Sequence, residues 1–306
     1  MKEVYLSYRA DNAETADLAG RLLGPDSYDI LVDEDCDVYK PDGSVLLKYR
    51  KGVIPLAVCL QAVPVLRKAT RPTKNRGVAA GIPDVSDGKT VRAGKVKFRR
   101  VLEDGSLSNT LEANTVLSGT VGAFDRNVRF PYCRLTTFTV ENWADLQRAY
   151  PLVKAASDCF ARELPDRYAA QWAHVEKTHK DYRILDSVFT TFSVNKNWQT
   201  AVHQDAGDLK QGFGVMTALR SGQFEGCYTC FPQYRVAVSM RTGCVCLADV
   251  HEWHGNTPFE KTREGFERLS VVMYYRENMD RCGSTAEEQE HAKRRQGGPL
   301  WADKER

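Results

Sequence analysis

The sequence predicts an α+β fold: a jelly-roll β core flanked by helices. Three observations carry the prediction. From residue 184 onward, short β-prone runs are separated by Gly, Asn, Gln and Asp, the texture of a sandwich or barrel. Before that point, residues 142–179 place apolar side chains at helical spacing. The residues best suited to chemistry fall at the ends of the β-prone runs, where a jelly roll brings several strands together.

The 306 residues are 42% hydrophobic and 27% charged, ordinary for a globular protein and enough for one large domain. Nine cysteines, an odd number in a long chain without a signal-peptide pattern, favour a reduced cytoplasmic setting over a disulfide framework or secretion. The longest apolar run, residues 53–66, carries Pro55 and Pro64 and is too short to span a bilayer. Net charge is +3 but uneven. Residues 1–40 hold ten acidic and four basic side chains, whereas residues 67–100 hold eleven basic and only Asp84 and Asp87. A basic stretch of that size suits a phosphate backbone, and it equally suits a loop whose charge is answered by the acidic N-terminus.

In chain order, Val4 and Leu6 mark a short strand. An amphipathic helix follows, capped by Asp11 or Asn12 and ended by Gly24-Pro25. Residues 28–32 and 45–49 read as strands with a turn at Pro41-Asp42-Gly43. Residues 53–68 read as a helix starting near Pro55 and bent or interrupted at Pro64. Residues 69–95 are a long Gly-, Pro- and Arg/Lys-rich loop containing Asn75, Arg76, Gly77 and Gly81, whose glycines permit close backbone approach to a ligand. Residues 129–139 are β-prone. Residues 142–164 and 165–179 form two helices, with His174 and His179 as lone helical histidines in structural or exposed roles. Strands then follow at 188–194, 213–219, 228–231, 234–240, 244–250 and 269–275. A charged helix starts near Ser284, carries a solvent-facing His291 and ends at Gly297-Gly298-Pro299.

The chemistry centres on residues 195–208. His203 and Asp205 are two apart, so in an extended strand their side chains share a face. They make two thirds of a 2-His-1-carboxylate triad, which holds Fe(II) and leaves positions open. Alone, the pair is a weak signal. Downstream come His251 and His254, then Arg268-Leu269-Ser270 on an apolar run. His254 is preferred over His251 as distal ligand because Gly255 follows it and Arg268 lies one strand further on. A guanidinium on a strand can grip a carboxylate bidentately, and Ser270 shares its face.

These four elements in order resemble the Fe(II)- and 2-oxoglutarate-dependent dioxygenases. Residues 47–55, 75–81, 133–139, 195–208, 251–256 and 268–275 narrow the resemblance to the TET/JBP branch, which oxidises the 5-methyl group of a pyrimidine in DNA. The match covers roughly residues 45–280 and looks like the compact microbial and phage-type members. The cysteine-rich zinc region of the animal enzymes has no counterpart. The resemblance implies a double-stranded β-helix core in a single catalytic domain spanning residues 1–306. An acidic strand/helix extension (1–45) precedes the core (45–280), and a charged helix and tail (281–306) follow it. It implies Fe(II) on His203, Asp205 and His254, 2-oxoglutarate on Arg268 with Ser270, and O2 as oxidant. It carries Asn75, Arg76 and Arg134 as nucleic-acid or cofactor contacts. Asp208, five residues after the first ligand, would face a flipped-out base. A carboxylate there can accept from a cytosine N4 amino group, which points to DNA containing 5-methylcytosine as partner and 5-hydroxymethylcytosine as product. Phe130, Tyr132 or Trp198 would stack on the base. The alternatives are thymine hydroxylation to 5-hydroxymethyluracil, a small-molecule or protein substrate, a catalytically dead relative, and a zinc module built on Cys227, Cys230, Cys244 and Cys246.

Overall fold

The architecture is that of a computed structural model, which describes residues 1–82, 88–92, 98–109, 112–127 and 130–297. Asp84, Asp87, Lys95, Lys97, Arg129, Gly298 and Pro299 lie outside the described residues.

Among the described residues, a ten-stranded sheet and a four-stranded sheet form the two layers of a jelly roll. The centre of the large sheet is antiparallel: Val245–Ala248, Gly214–Ser221, Glu267–Tyr274, Thr191–Lys196 and Val116–Phe124, in that order. Alternation along each strand decides what it faces. Phe192, Val194, Val215, Leu219, Val271 and Met273 turn to one side. There they pack with Leu66 of helix Leu56–Ala69 and with Leu152, Val153 and Phe160 of helix Tyr150–Glu163. Each such side chain, fully buried, contributes about 1.5–3 kcal/mol. Met216, Ala218, Cys246 and Ala248 turn the other way and meet Phe231, Val236 and Val238 of the small sheet. Ser193, Asn195, Arg268, Ser270 and Val272 share that inner side, where they line a cavity.

The first 45 residues are woven into both layers. Lys2–Tyr5 pairs in parallel with Cys36–Tyr39 at the edge of the large sheet, and Ile30–Val32 pairs in parallel with Val236–Val238 in the small one. Asp11 and Glu14 form a capping box on helix Asn12–Asp17. Past this helix, Gly20 N–H donates to the Val202 carbonyl (2.8 Å) and Val202 N–H donates to that of Arg21 (2.9 Å). The N-terminal strap therefore runs directly against the segment that carries His203.

Several elements differ from the sequence reading. Helix Leu56–Ala69 continues through Pro64, held by the burial of Cys59, Ala62, Val65 and Leu66 on one side. The β-prone stretch at 129–139 yields only the strand Arg134–Leu135. Thr136 then caps helix Thr137–Glu141 by accepting from Thr139 N–H. Threonine favours both strands and helix caps, and here the cap prevails. The long helix at 142–164 is two, Trp143–Leu146 and Tyr150–Glu163, with Pro151 in the first turn of the second, where its missing N–H costs nothing. Strand Val116–Phe124, absent from the sequence reading, lies between Thr191–Lys196 and the edge strand Arg71–Thr73. Inside the expected loop at 69–95 lie the edge strand Arg71–Thr73 and a 3-10 turn, Gly77–Ala80.

The cysteine reading needs correction on one point. Cys133 and Cys282, both buried, are joined in a disulfide; the chain brings their Cα atoms to 5.8 Å. The other seven are free and buried. Cys227, Cys230, Cys244 and Cys246 form no thiolate cluster; they pack as small apolar side chains, which removes the zinc-module reading. No helix among the described residues is long and apolar enough to cross a membrane.

Candidate active site

The cavity between the two sheets has a volume of about 430 Å³, within the usual range for small-molecule sites. On its wall, ligand atoms of His203, Asp205 and His254 all lie within 4.8 Å of one another. The two histidines are fixed by reciprocal backbone bonds: His203 N–H donates to His254 O (2.8 Å) and His254 N–H donates to His203 O (2.9 Å). The sequence expectation of an extended strand through 203–205 is met only in part, since His203 sits in an isolated bridge and Asp205 lies in the loop beyond it. Asp205 N–H donates to Val250 O (3.0 Å), which holds that loop.

Each imidazole Nδ1 faces a backbone carbonyl, Ala201 O at 2.7 Å from His203 and Glu252 O at 2.9 Å from His254. That partner fixes the tautomer and turns each Nε2 toward Asp205, at 3.5 Å for His203 and 4.0 Å for His254. Burial and the neighbouring His203 hold the His254 pKa down at about 4, so its Nε2 lone pair is free to bind a metal. Burial opposes charge on His203, but Asp205 carries its pKa upward. Two imidazole nitrogens and one carboxylate, oriented by outer hydrogen bonds, suit a facial Fe(II) site. His251 is not part of this group: its Nδ1 meets Asp249 at 3.4 Å, and Asp249 in turn pairs with Lys40. Of the two candidates for the distal position, only His254 stands with His203 and Asp205.

Arg268 and Ser270 line the same cavity from the strand Glu267–Tyr274. Asn197, in the left-handed region at φ 43°, brackets Arg268 by accepting from its N–H (2.7 Å) and donating to its carbonyl (3.0 Å). Arg268 is buried, which strengthens any charge-assisted bond it makes there. Arg76 enters from the 3-10 turn and donates to Ser193 Oγ (3.1 Å) and Thr120 Oγ1 (3.0 Å). Burial pulls its pKa down, against the pull of Tyr274 and Asp205. Asn75 lies at the rim, exposed.

Asp208 lines the cavity beside Arg276, the two joined by a backbone bridge. Burial first, and then Asp205, push the Asp208 pKa well up, while Arg276 pulls it down. Arg276 Nε donates to Asp125 Oδ1 at 2.7 Å. Arg134 is not brought to the cavity. Its guanidinium lies over the rings of Phe130 (4.1 Å) and Phe124 (5.0 Å). Phe130 and Tyr132 pack there with it, while Trp198 lines the cavity. Much of the basic stretch is answered by acids: Arg67 by Glu267 (2.7 Å), Lys68 by Asp145 (3.2 Å), Arg92 by Asp17 (3.2 Å) and Arg100 by Glu112 (3.6 Å). Tyr274 and Arg276 were not foreseen. They continue the two-residue step from Arg268 and Ser270, and that alternation was the signal for them.

Residues 123–277 match the profile of the TET/JBP family, described as the oxygenase domain of the 2OGFeDO superfamily. The chain is 31% identical over 224 residues to the bifunctional helicase and thymine dioxygenase JBP2 of Leishmania major, covering 71% of this chain and 20% of that one. It is 36% identical over 146 residues to the thymine dioxygenase JBP1 of Trypanosoma brucei brucei, covering 47% of this chain and 17% of that one. The chain thus spans at most about a fifth of the length of these curated relatives. Among solved structures, NgTET1 in complex with 5mC DNA shares the fold with a TM-score of 0.52 at 12% identity, over 86% of each chain.

Proposed function

We propose that this chain, which belongs to the TET/JBP family of Fe(II)- and 2-oxoglutarate-dependent oxygenases, hydroxylates the 5-methyl group of 5-methylcytosine in DNA to give 5-hydroxymethylcytosine. The observation that carries the reading is the convergence of His203, Asp205, His254, Arg268, Ser270 and Asp208 on one cavity. The family's cofactors are Fe(II), 2-oxoglutarate and O2. Bound together they supply the oxidising power that converts a C–H bond of the methyl group to C–OH, with 2-oxoglutarate consumed to succinate and CO2.

The chain's residues do the rest. His203, Asp205 and His254 would hold the metal, two imidazole nitrogens and one carboxylate being a donor set that suits Fe(II). Arg268 grips the far carboxylate of 2-oxoglutarate, and Ser270 donates to it. Arg76, fixed by Ser193 and Thr120, keeps a positive charge over the side of the cavity nearer Asp205. A methyl group inside a duplex cannot reach this enclosed wall, so the base must be turned out of the stack, at a cost of a few kcal/mol. Asp208 then meets its Watson–Crick edge and accepts from the cytosine N4 amino group.

A second substrate, thymine, is favoured by one specific observation: the JBP relatives are named thymine dioxygenases. The test is nucleoside mass spectrometry after incubating the protein, Fe(II), 2-oxoglutarate and ascorbate with two duplexes, one carrying 5-methylcytosine and one only unmodified thymine. 5-Hydroxymethylcytosine that disappears in His203→Ala and without 2-oxoglutarate supports the first reading. 5-Hydroxymethyluracil moves the substrate to thymine, and no modified base in either duplex rejects both.

A further inference from the structure

Arg220 and Arg268 stand directly opposite each other on the antiparallel strands Gly214–Ser221 and Glu267–Tyr274. Their side chains therefore leave the same face, with Cβ atoms about 4.5–5.5 Å apart. It is the inner face, shared with Met216, Ala218, Ser270 and Val272. Like charges so placed repel, and the acids at this end do not relieve them. Glu267 is taken by Arg67 and Lys196, and Glu225 by Lys261. The Arg220 guanidinium instead donates to two carbonyls, Phe224 O (2.9 Å) and Met240 O (3.4 Å), and lies over the Phe224 ring (4.1 Å). Burial, then Arg241 and then Arg268, lower its pKa, the mark of a cation among cations. The fold thus sets Arg220 across from Arg268, which lines the cavity, with the nearby acids engaged elsewhere, an arrangement suited to a bound anion.

We propose that Arg220 is a second positioning residue for the cosubstrate, backing Arg268 so that the site holds a dicarboxylic 2-oxo acid by its far carboxylate and discriminates against monocarboxylic ones. The proposal rests on the reading of Arg268 as the 2-oxoglutarate clamp. Arg220 need not touch the carboxylate. Its charge, held in a poorly hydrated place by two carbonyls and a ring, strengthens the field there more than a surface arginine could. A purely structural role is the competing account, since the same two carbonyl bonds tie down the turn after Ser221.

Calorimetry on the full chain loaded with Mn(II), without oxygen chemistry, separates the two. The titrants are 2-oxoglutarate and 2-oxobutyrate, which lacks the far carboxylate. In Arg220→Gln, 2-oxoglutarate should bind about tenfold more weakly, equivalent to about 1.4 kcal/mol, while 2-oxobutyrate is unchanged. Arg220→Lys should restore most of the loss. Arg241→Gln alters an exposed side chain and keeps the question open should Arg220→Gln fail to fold; it should weaken 2-oxoglutarate about two- to threefold and spare 2-oxobutyrate. Wild-type affinity for 2-oxoglutarate in both Gln variants, or equal weakening of both acids, overturns the proposal. Wild-type protein that binds neither acid overturns the dioxygenase reading beneath it.

Discussion

Gly255 offers a way to disturb the metal group without touching a ligand. It follows His254 on the short strand Gly255–Asn256, which pairs with Cys230 and Thr229. A Cβ at Gly255 would lie 3.2 Å from each of Ala201 C, Thr200 O and Val202 N. Those atoms are backbone and cannot swing away. They belong to the segment that leads into His203, and Asn256 N–H donates to Thr200 O at 2.9 Å on the far side of the glycine. Gly255→Ala must therefore push residues 200–202 back by a few tenths of an ångström and skew the His203–His254 bridge. Overpacking of this kind costs about 1–3 kcal/mol. For a 306-residue chain, unfolding entropy near the melting point corresponds to roughly 0.6 kcal/mol per degree, so Tm should fall by about 2–5 °C. Disturbing the groups that orient metal ligands typically costs 10–100-fold in metal affinity. Mn(II) titration followed by calorimetry, beside a thermal melt, reads both quantities. Wild-type metal affinity in a folded Gly255→Ala protein would refute the claim that backbone contact at Gly255 sets the ligand geometry.

Three other outcomes are expected. Asp208→Asn should change the ratio of 5-methylcytosine to thymine turnover by about fivefold or more, the worth of one good base-edge contact of about 1–3 kcal/mol, as read by competition within one duplex. In the buried network Asp37–Arg50–Glu163, with contacts of 2.6 and 2.7 Å, burial raises both carboxylate pKa values, but the basic partners outweigh it and both end below their usual range. That stability is present above the unfolded pKa of about 4 and is lost as pH falls through the depressed folded values. Arg50→Met should therefore lower Tm by about 5–8 °C at neutral pH, from about 3–5 kcal/mol, and the gap to wild type should shrink in melts taken below about pH 4. Glu288, 1% exposed, accepts from the N–H groups of Cys133 (2.7 Å) and Gly283 (2.9 Å) and pairs with Arg126. Glu288→Gln should cost about 2–4 kcal/mol and expose the C-terminal helix Thr285–Gly297 to protease, which limited digestion would show.

Much of the site was legible because its chemistry is local in sequence. His203 and Asp205 are neighbours, and Arg268 and Ser270 share a strand face by alternation alone. The choice of His254 over His251 rests on the glycine that follows and on the spacing to Arg268, and the structure gives that glycine a reason: the strand passes too close to residues 200–202 for a side chain. What sequence could not supply is contact between distant segments. Strand Val116–Phe124 contains glycines at 119 and 122 and reads as nothing in particular. Yet a Cβ at Gly119 would collide with the Ala69 carbonyl oxygen, so that glycine is dictated by a neighbour fifty residues earlier. Arg76 is held at the cavity by Thr120 of that strand together with Ser193. Arg134, grouped with Asn75 and Arg76 as a nucleic-acid or cofactor contact, lies over an aromatic cluster of Phe124 and Phe130, a placement its sequence neighbours alone do not announce. The pairing of Cys133 with Cys282 likewise depends on two segments 149 residues apart.

We propose that this chain places oxygen from O2 onto a pyrimidine methyl group in DNA through the His203, Asp205 and His254 site. Reaction under ¹⁸O₂ with 5-methylcytosine duplex, Fe(II) and 2-oxoglutarate, followed by mass spectrometry of nucleosides and succinate, measures that transfer. The account requires heavy oxygen in the hydroxymethyl nucleoside and in succinate, both absent in Asp205→Ala. A hydroxymethyl product formed equally well without O2, or one that persists in Asp205→Ala, would contradict it.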